Sequence, residues 1–321
     1  YEIMSAASEN WISRTIFTII AIAAFLGNGL VLGCYLKKRK RSNLTHFDIF
    51  VINLALSDVL AGVFLILNRF LYLPEMPNTQ PLAYLFCTML WGGYILFGLC
   101  YVSVYTCLAL TIERWLAVVK PHMYRRIKPK HIRMTLISVW LWAFLINSTV
   151  FISVDENLQD SKCQWVEPNF GKNIFPILEI SFSCIIPFSI IICLYSHIVW
   201  KIRRMNNFLT QSKNDYKKRV TVIGLAASAA LVLGWTPVKV SFMLRYTSVG
   251  GKHLQGPLHL VFIMLALSNS FVNPILYGIY SSKFRHEYKE MMKGFLCQKC
   301  TVQRNEERRE EISSKNLIEL V

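Results

Sequence analysis

The feature that most constrains this chain is where its charges are missing. Seven stretches of about twenty mostly apolar residues recur along it, and a helix of about that length spans the hydrocarbon core of a bilayer. Ile16 to Leu36, Met76 to Ile112, Met134 to Val154 and Leu254 to Ser282 contain no Asp, Glu, Lys or Arg. Each such residue would cost about 2.5 to 3.5 kcal/mol at the bilayer centre. Ile49 to Asn68 carries only Asp58, Ile174 to Val199 only Glu179, and Val220 to Leu244 only Lys239. With no water in the core to satisfy peptide groups, such segments are expected to be helices. The predicted fold class is an all-α membrane protein, a seven-transmembrane helix bundle.

The formal charge of +16 would suggest nucleic-acid binding in a soluble protein, but its distribution points to the membrane. Of 35 Lys and Arg, 27 fall in Lys37 to Arg41, Lys120 to Arg133, Lys201 to Arg219 and the segment after Tyr280. These are alternate connections and the tail, so the positive-inside rule makes them cytoplasmic. An odd number of crossings then places the N-terminus outside and the C-terminus inside. Basic runs beside a membrane face anionic lipid, and no nucleic-acid partner is expected. The first apolar stretch runs directly into Lys37 to Arg41, as a retained first crossing would, rather than a signal sequence. The predicted organisation is an extracellular arm over 1–11, the seven-helix domain over 12–281, an amphipathic membrane-surface helix over 282–296 and a cytoplasmic tail over 297–321.

Polar and proline residues punctuate these helices in a recognisable order. Gly27-Asn28 lies in the first, Leu54-Ala55-Leu56-Ser57-Asp58 in the second, Glu113-Arg114-Trp115 at the end of the third, and Trp140 in the fourth. Pro187 and Tyr195 lie in the fifth, Trp235-Thr236-Pro237 in the sixth, and Asn273-Pro274-Ile275-Leu276-Tyr277 in the seventh. Together they resemble the rhodopsin-like, class A, G-protein-coupled receptors over about residues 12 to 296. The resemblance implies a cell-surface receptor that activates heterotrimeric G proteins and meets arrestin. It implies an activation switch of Glu113, Arg114, Tyr195, Trp235, Pro237, Asn273, Pro274 and Tyr277. It also implies an allosteric sodium ion held by Asp58, Ser103, Asn269 and Asn273, with no other metal or cofactor; a neutral Asp58 hydrogen-bonded to Asn28 is the plain alternative.

Physical reasons stand beside the resemblance. A carboxylate at mid-membrane must be neutral or matched by a partner, and prolines at 187, 237 and 274 remove backbone hydrogen bonds and kink their helices. Of the nine cysteines, Cys87 and Cys163 are the two expected on the oxidising side and are paired on that ground. Lys217 stands where the family usually has an acidic residue, which implies a weaker resting lock and a basal signal. Cys87 and Arg114 are 27 residues apart, more than is usual in the family, and Gly92-Gly93 is a plausible place to absorb the excess in a bulge.

The expected ligand pocket contains Lys239, Glu179, Trp235 and Ile263, with Arg69 and Arg245 near the rim. The family position that carries the monoamine-binding aspartate falls on Leu96 when counted from Arg114 and on Tyr94 when counted from Cys87, so a monoamine ligand is not expected. Retinal is not expected either, because the seventh helix has no lysine to form a Schiff base. Lys239 and Glu179 either receive the charged ends of a ligand or pair only with each other. Trp91, Tyr94, Tyr101 and Trp165 either line the cavity or pack the bundle. The charged outer loop Val154 to Lys172 is compatible with a short peptide, which leads over a small anionic or lipid mediator.

On the inner side Phe284, Tyr288, Met291, Met292 and Phe295 repeat at helical spacing, giving an apolar stripe on a basic helix that should lie on the membrane surface. Cys297 and Cys300 after it are palmitoylation candidates. A transporter lacks its expected inverted repeat, and an enzyme lacks a nucleophile, base and orienter set.

Overall fold

The computed structural model describes residues 11–39, 44–70, 77, 79–158, 162–166, 174–205, 211–246, 257–280 and 284–291. Side chains at 38–39, 68–70, 165, 175–176, 205, 211–220, 245–246 and 257 fall outside the description. Among the described residues, seven helical spans are long and apolar enough to cross a membrane.

The first crossing is α1 (Trp11–Arg39) and the second α2 (His46–Phe70). The start of α2 is fixed by a reciprocal cap. The Thr45 backbone N–H donates to Asp48 Oδ2 at 2.8 Å, and the Asp48 N–H donates back to Thr45 Oγ1 at 3.3 Å. Two otherwise orphan donors are thereby satisfied, with a carboxylate at the positive end of the helix.

The third crossing is not one helix. It begins as α3 (Leu82–Phe86), loosens into a π turn (Cys87–Trp91), breaks, and restarts as α4 (Tyr94–Val119). Gly93 sits at φ 74°, a left-handed conformation that costs glycine little and other residues more. A Cβ on Gly92 would lie 3.0 Å from the Cys87 carbonyl oxygen and from Val150 and Val154. The double glycine therefore absorbs the extra length, as its sequence suggested. Because α4 is continuous from Tyr94, residues below the break, Leu96 among them, keep helical phase with Arg114.

A disulfide joins Cys87 to Cys163. Cys163 lies on β2 (Lys162–Trp165), which pairs antiparallel with β1 (Val154–Asn157), Val154 opposite Trp165. Ala83, Cys87, Val150 and Val154 form a small buried cluster under this hairpin, flanked by Phe86, Trp91 and Tyr94. The sequence reading placed no strands in the outer loop.

After the short α5 (Pro121–Tyr124), the fourth crossing is α6 (Pro129–Asn147) followed by one turn, α7 (Val150–Ser153). Both α5 and α6 start with proline, which needs no N–H partner there. Asn147 is buried and donates to the Tyr94 carbonyl at 2.6 Å.

The fifth crossing contains α8 (Ile174–Ile180), a second π turn (Ser181–Ile185) and α9 (Ile186–Met205). Pro187 cannot donate to the residue four before it, and the π turn sits where that defect falls. The Tyr105 hydroxyl bonds the Phe182 carbonyl there, supplying a partner to a backbone group inside the turn. The sixth crossing is α10 (Gln211–Tyr246), with Pro237 inside it. At 36 residues it runs about 54 Å and outlasts the apolar stretch that signalled it. The seventh is α11 (Pro257–Tyr280), containing Pro274.

A second compact unit begins at Tyr277. Its described part is the end of α11 and a short helix, α12, over residues 284–291. The Arg285 guanidinium bonds the Ile279 carbonyl at 2.5 Å, and Phe284 stacks on Tyr277 with ring centres 5.4 Å apart and lies 5.9 Å from Tyr288. Met292, Phe295, Cys297 and Cys300, with the membrane-surface and palmitoylation expectations that rest on them, lie outside the described residues.

Candidate ligand-binding site

The three charged residues found in the apolar stretches end in two different settings. Lys239 from α10 and Glu179 from α8 meet at 2.5 Å, with side chains only 10% and 11% exposed. Tyr101 from α4 completes the cluster. Its hydroxyl accepts from Lys239 at 2.6 Å and donates to Glu179 Oε1 at 2.5 Å. The ammonium also lies over the rings of Tyr101, Trp235 and Phe242, at 4.9, 5.9 and 6.0 Å from their centres. Such cation–π contact helps hold a desolvated ammonium. Tyr101 packs on Trp235 at 5.9 Å, linking the charged group to the tryptophan two residues before Pro237.

Two apolar pocket candidates, Leu96 and Ile263, are buried. Tyr94 is not part of this cluster. Its ring packs on Phe144 and Phe151, and its hydroxyl donates to the Phe144 carbonyl at 3.3 Å, so it belongs to the seam with the fourth crossing. The break at Gly93 explains this, because a residue at the first turn of a restarted helix need not keep the orientation implied by counting from Cys87. Trp165, Arg69 and Arg245 have side chains outside the description. The bridging role of Tyr101 was missed in the sequence, where it was one aromatic among several. Only its place in a charge-free segment, on the continuous part of the third crossing, could have singled it out.

Asp58 occupies the second setting and is fully buried. Its Oδ1 accepts from Ser103 at 2.6 Å and its Oδ2 from the Asn273 amide at 3.1 Å, while Ser57 and Ser103 share a 3.0 Å hydrogen bond. Asn28 is elsewhere engaged, donating to the Ser270 carbonyl at 2.6 Å. The side-chain oxygens of Asn269 and Asn273 are buried and have no hydrogen bond among the described residues. The Asp58 carboxylate, the Ser103 hydroxyl and the Asn273 amide oxygen are hard oxygen donors of the kind a sodium ion would need. Among the described residues there is no cluster of three or more His, Cys, Asp and Glu that could hold a metal.

Toward the C-terminal end of α4, Glu113 and Arg114 form a buried two-point ion pair, and the guanidinium lies 4.9 Å from the Phe47 ring centre. Tyr124 is half-buried beside them. Burial, and then the Glu113 carboxylate, push its hydroxyl from the ordinary 10.0 up to about 12. Tyr195 is buried against Gly224, where a Cβ would collide with its hydroxyl. Lys217, on which the expected weaker lock rests, has its side chain outside the description.

Seven helices able to cross a membrane, a disulfide and a polar cluster buried among the third, fifth and sixth of them describe a multi-pass membrane protein. The chain matches the 7 transmembrane receptor (rhodopsin family) over residues 27–277 and belongs to that family. It is 25% identical over 309 residues to galanin receptor type 1 of Mus musculus, covering 90% of this chain and 84% of that one. It is 26% identical over 305 residues to lysophosphatidic acid receptor 3 of Homo sapiens, covering 91% and 80%. With the tachykinin-like peptides receptor 86C of Drosophila melanogaster it shares 21% identity over 307 residues, 88% of this chain but only 59% of the length of that receptor. These relatives are receptors rather than enzymes.

Proposed function

We propose that this protein is a plasma-membrane receptor, N-terminus outside, in which an extracellular short peptide shifts an inactive-to-active equilibrium and opens an inner cleft for a heterotrimeric G protein. The observation that carries the reading is the buried Lys239–Glu179–Tyr101 cluster packed on Trp235. A ligand acts only through different affinity for two states, and this cluster joins three crossings beside a proline kink that can serve as a hinge. Asp58, Ser103, Asn269 and Asn273 would hold a sodium ion, whose charge would neutralise the buried carboxylate and favour the resting arrangement. At the inner end Arg114, released from Glu113, would meet the G protein, with Tyr195 and Tyr277 as its partners on activation. Arrestin and membrane lipids are further partners of the inner face.

Peptide-binding names among the relatives support the leading reading, while the lysophosphatidic acid receptor favours a lipid mediator as the second. The test is to express the chain in cells, apply tissue extract and record cAMP and calcium before and after protease treatment of that extract. Activity that protease destroys is the expected result. Activity that survives would transfer the reading to a small anionic or lipid ligand.

A further inference from the structure

The buried cluster has a defined unmet need, which follows from counting its donors and acceptors. An ammonium has three N–H donors and a carboxylate accepts on two oxygens. Lys239 gives one N–H to Glu179 and one to the Tyr101 hydroxyl, and its charge faces three aromatic rings. Tyr101 spends its own proton on the same Glu179 oxygen, Oε1. The other carboxylate oxygen, Oε2, is buried and has no hydrogen-bond partner among the described residues. Glu179 Oε2 is therefore the cluster's unpaired acceptor, the third Lys239 N–H is left among the aromatic rings, and the formal charges already cancel.

On the receptor reading above, we propose that this cluster recognises an uncharged N–H or O–H donor, such as an amide, phenol or indole, at the deep end of the ligand. Glu179 Oε2 accepts that hydrogen bond. Lys239 alone in a membrane helix would suggest an anionic ligand, but an incoming carboxylate would meet an ammonium already neutralised by Glu179 and would face that like charge. An incoming ammonium could donate to Oε2 but would bring an unbalanced charge into a desolvated site, where isolated charge is costly. A neutral donor satisfies the oxygen without either difficulty, and the surrounding rings of Tyr101, Trp235 and Phe242 suit an aromatic or amide group.

The experiment uses three probes built on one ring. They are N-acetyltyrosinamide, which is neutral, N-acetyltyrosine, an anion, and tyrosinamide, a cation. Each is titrated against the purified full-length chain while the unfolding temperature is recorded. The neutral probe is expected to raise it at the lowest concentration, and Glu179→Gln to abolish that preference. Tyr101→Phe, which frees one Lys239 N–H while leaving the ion pair, is expected to move the ranking toward the anion. If Glu179→Gln does not fold, the Tyr101→Phe ranking decides alone. A wild-type ranking led by the anion or the cation, or no shift with any probe, overturns the proposal. Protease-resistant activity in the extract assay would instead overturn the peptide reading and leave this ranking standing.

Discussion

The Lys239–Glu179 pair and the Glu113–Arg114 pair are both buried, yet they constrain the bundle in different ways. The first joins side chains 60 residues apart on the fifth and sixth crossings, with Tyr101 of the third bridging them, so separating those helices means breaking it. The second joins neighbours on one helix; it can persist while the surrounding helices move, and it neutralises an arginine rather than fastening two elements. A buried ion pair is thus informative about motion only once its connectivity is known. The outer pair restrains a helix carrying a proline kink, and the inner pair parks a charge at an edge that the neighbouring helices can uncover.

The largest expected effect comes from removing one member of the interhelix pair. Lys239→Met strands a buried carboxylate and should cost about 3–5 kcal/mol in thermal unfolding, whereas Lys239→Met combined with Glu179→Met should recover most of the loss. A double variant as unstable as the single one would mean that the charges do not act as a pair. Tyr101→Phe should cost about 1–3 kcal/mol, because it removes the hydroxyl that accepts from Lys239, and the same unfolding assay reads it. Glu113→Gln should destabilise by only about 1 kcal/mol, since an arginine at a helix end can turn its head toward water. Its larger consequence should be functional, a raised basal signal in cells expressing the variant compared with wild type. A stability loss matching that of Lys239→Met would erase the distinction between the two pairs.

The smallest effect concerns pH at the inner pair. The folded chain holds the Tyr124 proton more tightly than the ordinary 10.0 because of burial and Glu113. The corresponding stability is complete below that value and is lost as pH rises toward about 12. Tyr124→Phe should remove this alkaline dependence, as followed by unfolding temperature against pH.

Much of this architecture was legible because a bilayer imposes simple demands: length, apolarity and an internal partner for every peptide group. The seven crossings, the Cys87–Cys163 bond and the bulge at Gly92-Gly93 follow from segment charge, compartment and chain length. The Lys239–Glu179 pairing was legible too, as two opposite charges that could each be buried only with a partner. Less visible were features that depend on how helices face each other. Tyr94 and Tyr101 look alike in sequence, yet one fills a seam with Phe144 and the other bridges two charges. The hairpin of the outer loop was hidden because its strands, Val154–Asn157 and Lys162–Trp165, are only four residues long and carry no clear alternation. The inward extension of α10 was hidden because polar residues continue a helix without leaving an apolar signal.

The interrupted third crossing has a consequence for how this chain can change over time. A residue gained or lost between Cys87 and Gly93 would be taken up in the loose turn before α4 begins. Below Gly93 the helical phase of Leu96, Tyr101, Ser103 and Arg114 would be unaltered. The segment before Gly93 can therefore vary in length without rotating α4, and the two parts can be tuned separately.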